Sequence, residues 1–132
     1  MTCALDTNII IDFINGEPLA LTHFHNAVKS KMTMVIPIVV DYEVIRGFCH
    51  TRSYYKENTY SKMRLHCPVV EVNSKIWNRA ASIWATLRKA GQAIGDADII
   101  IAAHCIENGY TLVTHNEKHF KHINDLQLVD WA

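Results

Sequence analysis

Short apolar runs alternate along this chain with longer stretches whose apolar positions recur every three to four residues. Cys3-Ala4-Leu5 predicts a buried strand, stopped by Asp6-Thr7-Asn8. Those three residues are helix-starting chemistry, and Ile9, Ile10, Phe13 and Ile14 follow at helical spacing as far as Asn15-Gly16. A second helix is predicted over 18–31, with Leu19, Leu21, Phe24, Ala27 and Val28 as its inner face. Met34 to Ile38 reads as a buried strand and 38–49 as a helix, while 52–66 is helical in pattern but polar. Val69 to Val72 predicts a third strand. The stretch 74–90 predicts an amphipathic helix with Ile76, Trp77, Ala80, Ile83, Trp84 and Leu87 inward. Gly95-Asp96 opens a helix that Asn108-Gly109 stops. Tyr110–Thr114 supplies a fourth strand and Gln127–Val129 offers a fifth. Apolar strands alternating with helices imply an α/β fold, a mainly parallel sheet of four to five strands covered on both faces. In such sheets, sites gather beyond the carboxyl ends of the strands.

Composition narrows the picture. At 132 residues, 49% apolar and 20% charged, the chain suits one domain over 1–132 and is too apolar for disorder. Thirteen basic and thirteen acidic residues balance, so any nucleic-acid contact must come from a local patch and not a global field. No apolar run approaches the ~18 residues of a membrane span. Asp6 and Asp12 interrupt the N-terminus where a secretory leader needs an apolar stretch, so the expected compartment is the cytoplasm. Cys3, Cys49, Cys67 and Cys105 form no C-x-x-C pair and sit among apolar neighbours, which predicts four buried free thiols.

Three acids stand at strand-to-helix junctions. Asp6 follows the first strand, Glu43 lies in the helix after the second, and Asp98 lies in the first turn of the helix opened by Gly95. Each has an ordinary local explanation: a helix cap for Asp6, an i+3 partner in Arg46 for Glu43, the helix dipole for Asp98. Asp96 could fill that last role equally well. Their coincidence at one sheet edge is what points to chemistry, because several buried carboxylates cannot stay ionised without a cation. Asn116 and Thr114, after the fourth strand, add polar groups at the same edge, whereas Asp12 and Asp41 lie at other distances from their strand ends. Hard oxygen donors favour Mg²⁺ or Mn²⁺, and such a site suits phosphodiester hydrolysis by activated water. Asp6, Glu43 and Asp98 are the expected metal acids. Asn116 would position water or a weaker second ion, and the activating base is left open between Glu43 and the ion itself.

Other chemistries find less support. His115 and His119 are four apart and His23 and His25 two apart, yet no H-E-x-x-H or Cys/His frame accompanies them. Phosphate-cradling glycine motifs and a serine nucleophile elbow are absent from the sequence. Between 46 and 64, Arg46, Arg52, Lys56, Lys62 and Arg64 face one acid, Glu57, with Tyr54, Tyr55 and Tyr60 interleaved. That composition fits either a single-stranded RNA groove or a solvated helix.

Four segments in order carry a family resemblance: Leu5-Asp6-Thr7-Asn8, Tyr42-Glu43-Val44-Ile45-Arg46-Gly47, Gly95-Asp96-Ala97-Asp98-Ile99-Ile100-Ile101-Ala102-Ala103-His104, and Leu112-Val113-Thr114-His115-Asn116-Glu117-Lys118-His119-Phe120. Together they resemble PIN-domain proteins, above all the VapC-type toxin ribonucleases of toxin–antitoxin pairs, over nearly the whole chain. The resemblance implies a three-layer α/β/α sandwich and a Mg²⁺- or Mn²⁺-dependent endoribonuclease. It also implies a homodimer, held inactive by a cognate antitoxin whose tail enters the acidic groove. Asp6, Glu43 and Asp98 match the family's metal-site acids, and Asn116 matches a position that is acidic in many PIN proteins and Asn in others of this toxin branch. His119 stands where many relatives carry an acid, and Val40 where many carry a hydroxyl. A catalytically silent module, using the same acids for a structural ion or a partner's arginine, is the rival reading.

Overall fold

The computed structural model describes residues 1–131. Five strands, β1 (Thr2–Leu5), β2 (Thr33–Pro37), β3 (Val69–Val70), β4 (Thr111–Val113) and β5 (Gln127–Val129), form one sheet in the order β3-β2-β1-β4-β5. Every pairing is parallel, with Ala4 of β1 in register with Val35 on one side and Leu112 on the other. Parallel strands buried on both faces must be apolar on both, which is why β1, β2 and β4 are apolar at every position after an opening threonine.

Helices α1 (Thr7–Ile14), α2 (Pro18–Lys29), α3 (Ile38–Thr51) and α4 (Tyr54–Met63) fill the first two crossovers, and α5 (Ser74–Lys89) and α6 (Asp96–Asn108) the third. The chain builds outward from β1 through β2 to β3, then crosses back to lay β4 on the other side of β1. Right-handed crossovers therefore put α1–α4 on one face and α5–α6 on the opposite face. The short α7 (Glu117–Phe120) leads towards β5. Pro37 ends β2 and begins α3, because it lacks an N–H for the ladder but suits a helix start. Helix α6 closes on Gly109, whose φ of 69° is the left-handed conformation that a glycine adopts at least cost.

Three expectations about packing fail. Trp77 and Trp84 are 52% and 45% exposed, because α5 buries only the narrow stripe Ile76, Ala80 and Leu87, with Ile83 partly covered. The tryptophans lie one residue, about 100° of helix rotation, beyond that stripe, and Trp84 instead carries the Arg88 guanidinium 4.9 Å above its ring. Leu19 is exposed, since Ala20, Phe24 and Ala27 form the buried line of α2. Cys49 is exposed while Cys3, Cys67 and Cys105 are buried; on α3 it is the preceding Phe48 that turns inward. The third and fourth strands are also shorter than their apolar runs suggest.

Helix α6 is apolar almost all round and buried from Ile101 through Cys105, including His104. The Nδ1 of His104 has no partner among the described residues, and burial pushes its pKa below the ordinary value. The folded state therefore holds His104 neutral while the unfolded chain takes up a proton below about pH 6.5, so stability drains away as pH falls through that region. His104→Leu is expected to flatten the loss of stability between pH 7 and pH 5 by up to about 1.4 kcal/mol per pH unit. Denaturant melts at several pH values check this; parallel curves for the two proteins would contradict it.

Candidate active site

Strand order reverses between β1 and β4, and there the carboxyl ends of adjacent strands leave a crevice. Asp6 leaves the end of β1 as the N-cap of α1 and is only 3% exposed. Its Oδ1 accepts the Thr7 N–H at 2.8 Å and its Oδ2 accepts the Thr114 hydroxyl at 2.7 Å, just beyond β4. The Thr114 Oγ1 in turn accepts the Asn116 N–H at 2.9 Å, so one hydroxyl ties the two strand ends together. Glu43, on the second turn of α3, accepts the Thr7 hydroxyl on Oε1 at 2.7 Å. Thr7 thus bridges two of the predicted acids, a role that its place beside Asp6 hid behind helix capping.

Asp6, Glu43, Asp98 and Asn116 all line one open groove of about 350 Å³, together with Thr7, Asn8, Ile11 and Asp12. The local explanations for each acid hold as well: Asp6 caps α1, Glu43 meets Arg46 at 3.5 Å, and Asp98 sits in the first turn of α6. They still leave negative charge unbalanced. Burial raises the Asp6 pKa, the hydrogen bonds from Thr114 and Thr7 oppose that rise, and the negative charges of Asp98 and Glu43 add to it. No ion pair engages Asp6 among the described residues. Asp98 Oδ2 lies 3.3 Å from His119 Nδ1 at the groove's edge.

The donor set of three carboxylates and an amide is the chemistry that a hard divalent ion selects. Among the described residues, no three His, Cys, Asp or Glu side chains close into a set that could hold a metal ion. Mg²⁺ characteristically keeps several of its waters, so an open groove of this kind fits an ion reached partly through its hydration shell.

Asp12 was expected to lie apart and does not. It follows Asn8 by one helical turn and so joins the same groove, a relation that a helical wheel of α1 makes visible. His115 holds it, with Nε2 2.8 Å from Asp12 Oδ2 and Nδ1 2.6 Å from Asp130 Oδ1. Burial opposes the charge on His115, but the two carboxylates outweigh it and keep its pKa above the ordinary value. His115 and His119 thus serve different acids and do not form the pair that their spacing allowed. Asp41 is taken up elsewhere, accepting the Tyr60 hydroxyl at 2.7 Å and facing Arg64 at 3.6 Å.

The basic segment is smaller than its composition suggests. Tyr60 is buried, so it offers no face to a base; its ring is covered by the Arg64 guanidinium at 4.9 Å. Arg46, Arg52 and Arg64 each have an acid within 3.5–3.6 Å, namely Glu43, Glu57 and Asp41. Two of those acids, Glu43 and Asp41, precede the basic segment in sequence, on α3. Lys56 and Lys62 form no ion pair among the described residues, and Tyr54 and Tyr55 are the exposed aromatics beside them.

No helix among the described residues is long and apolar enough to cross a membrane. The chain is 31% identical to "Ribonuclease VapC1" of Haemophilus influenzae strain R2866, covering 100% of this chain and 99% of that protein. It superposes on the structure of VapBC-1 from nontypeable Haemophilus influenzae with a TM-score of 0.87 and 30% identity, covering 99% and 98% of the two chains. Against VapBC2 from Rickettsia felis bound to a promoter DNA fragment the TM-score is 0.85, with 30% identity and 100% of both chains covered. A PIN domain family model matches residues 3–126. The parallel sheet, the groove at its switch point and these matches agree, and the protein belongs to the PIN domain family.

Proposed function

We propose that this chain, as a single PIN domain over 1–132, is the toxin of a type II toxin–antitoxin pair. It acts as a Mg²⁺- or Mn²⁺-dependent endoribonuclease in the cytoplasm, forms a homodimer and is silenced by a cognate antitoxin. The observation that carries this reading is the convergence of Asp6, Glu43 and Asp98 on one groove, with Asp6 buried beside the negative charges of the other two. Likeness to a VapC ribonuclease and to VapBC structures over the whole chain supports both the reaction and the partner.

A divalent ion bound here supplies a Lewis acid that neutralises phosphate charge and eases deprotonation of water. Asp6 and Asp98 furnish the negative field that attracts it. Thr114 and Thr7 fix the two oxygens of Asp6, so that carboxylate needs no reorganisation when the site fills. Glu43, oriented by Thr7, has its second oxygen in only a 3.5 Å contact with Arg46 and can take a proton from the attacking water. Asn116, exposed at the groove's rim, offers both a donor and an acceptor to water or phosphate. The water oxygen bonds to phosphorus as the P–O3′ bond breaks, and the departing oxygen takes up a proton. The products are 5′-phosphate and 3′-hydroxyl ends. An antitoxin arginine would find in the same carboxylates a bidentate partner.

Purified chain is expected to cleave RNA with Mg²⁺ or Mn²⁺, to stop in EDTA, and to recover when the ion is restored. Cleavage that ignores EDTA and leaves cyclic phosphates would refute the mechanism. Tight binding of a protein partner without cleavage of any RNA would favour the silent module. For RNA binding, Lys56→Glu with Lys62→Glu is expected to weaken affinity and to flatten its salt dependence, by roughly 0.7 in log–log slope for each phosphate no longer neutralised. An unchanged slope would return this segment to the role of a solvated helix.

A further inference from the structure

His119 has no part in the mechanism above, yet its position is closely determined. It lies on the single turn of α7, where Phe120 is fully buried and anchors the turn against the core. Its N–H donates to the Asn116 carbonyl at 2.9 Å. These constraints leave the imidazole exposed at the rim of the groove, with Nδ1 3.3 Å from Asp98 Oδ2. An exposed histidine–carboxylate contact contributes little to stability, so stability gives no strong reason for it to be there.

The spacing has another meaning. Two neighbouring donors on an octahedral ion with bonds of about 2.1 Å stand about 3 Å apart, close to the separation of Nδ1 and Oδ2. We infer that His119 is a nitrogen ligand to the same ion as Asp98, and that it biases this site towards Mn²⁺ over Mg²⁺. This inference rests on the metal-dependent nuclease reading and adds to it the choice of ion. Mg²⁺ takes oxygen donors, whereas an imidazole nitrogen favours first-row transition ions. With Asp6 and Glu43 not drawn into a closed set around Asp98, the His119–Asp98 pair at the groove's edge offers the spacing for direct contact, and the acids lining the groove act through water.

The test uses the full chain and His119→Gln, with Mn²⁺ and Mg²⁺ alone as probes. Calorimetry is expected to show Mn²⁺ bound more tightly than Mg²⁺ by the wild type, and the variant to lose about tenfold or more in Mn²⁺ affinity while Mg²⁺ affinity changes little. The electron spin echo of bound Mn²⁺ is expected to carry ¹⁴N modulation in the wild type and to lose it in the variant. If the wild type shows no ¹⁴N modulation, if the modulation persists in His119→Gln, or if both ions weaken equally, His119 is not a selective ligand, and the acidic site stands without it. If the wild type shows no saturable binding of either ion, this inference and the metal-dependent reading fall together.

Discussion

Asp98→Asn is expected to lower RNA cleavage by about 10³-fold, or about 4 kcal/mol of transition-state stabilisation, with the fold intact. The amide keeps the shape of the carboxylate and removes its charge, which is what a divalent ion needs. Asp98 is partly exposed in the first turn of α6, so the structural cost is limited to the helix-dipole term of about 0.3–1 kcal/mol. Asp96 is the control. It sits in the same first turn but is exposed and lines a different concavity, beside Trp84 and Arg88. Asp96→Asn should therefore leave cleavage nearly unchanged and cost about 1 kcal/mol or less in stability. If Asp96→Asn silenced the protein and Asp98→Asn did not, the roles assigned to the two acids would be reversed.

Asp6→Asn is expected to abolish activity while leaving the metal-free protein at least as stable as the wild type at neutral pH. Burial places the folded-state pKa of Asp6 above its unfolded value, so the unfolded chain gives up this proton first as pH rises. Whatever stability the protonated group contributes is complete below the unfolded pKa and is lost by the time pH has passed the folded one. At neutral pH the ionised carboxylate is thus a burden, and Asn removes it. The amide oxygen can still accept the Thr7 N–H, and the amide NH₂ can face Thr114. A divalent ion reverses the balance. At a hundred times its Kd it should stabilise the wild type by about 2.7 kcal/mol, and Asp6→Asn should lose most of that gain. Melting curves with and without Mg²⁺ or Mn²⁺ decide the matter. An equal metal-induced shift in both proteins would remove Asp6 from the site.

The alternation of apolar runs and helical periods made the parallel sheet legible, and with it the edge at which Asp6, Glu43 and Asp98 meet. Those features depend on local spacing and on the rule that parallel strands are buried on both faces. What spacing could not supply was lateral context. Trp77 and Trp84 are apolar at helical intervals, but the width of the stripe that α5 buries is set by its neighbours. Arg64 and Tyr60 looked available for RNA because Asp41, which engages both, lies a helix away. Cys49 has apolar neighbours in sequence, and only the rotation of α3 decides that Phe48 takes the inside place. Asp12 lies farther from its strand end than Asp6 does, yet its place one turn beyond Asn8 sends it into the groove. Thr7 and Thr114, which orient the acids, resemble ordinary capping residues until both ends of β1 and β4 are seen together.

The most direct test is to map RNA ends in cells after brief expression of the wild-type chain beside Asp98→Asn. New 5′-phosphate and 3′-hydroxyl ends at discrete sites should accumulate with the wild type and be absent with the variant. Identical end maps from the two proteins, or cyclic-phosphate ends from either, would contradict a hydrolytic site built on Asp6, Glu43 and Asp98.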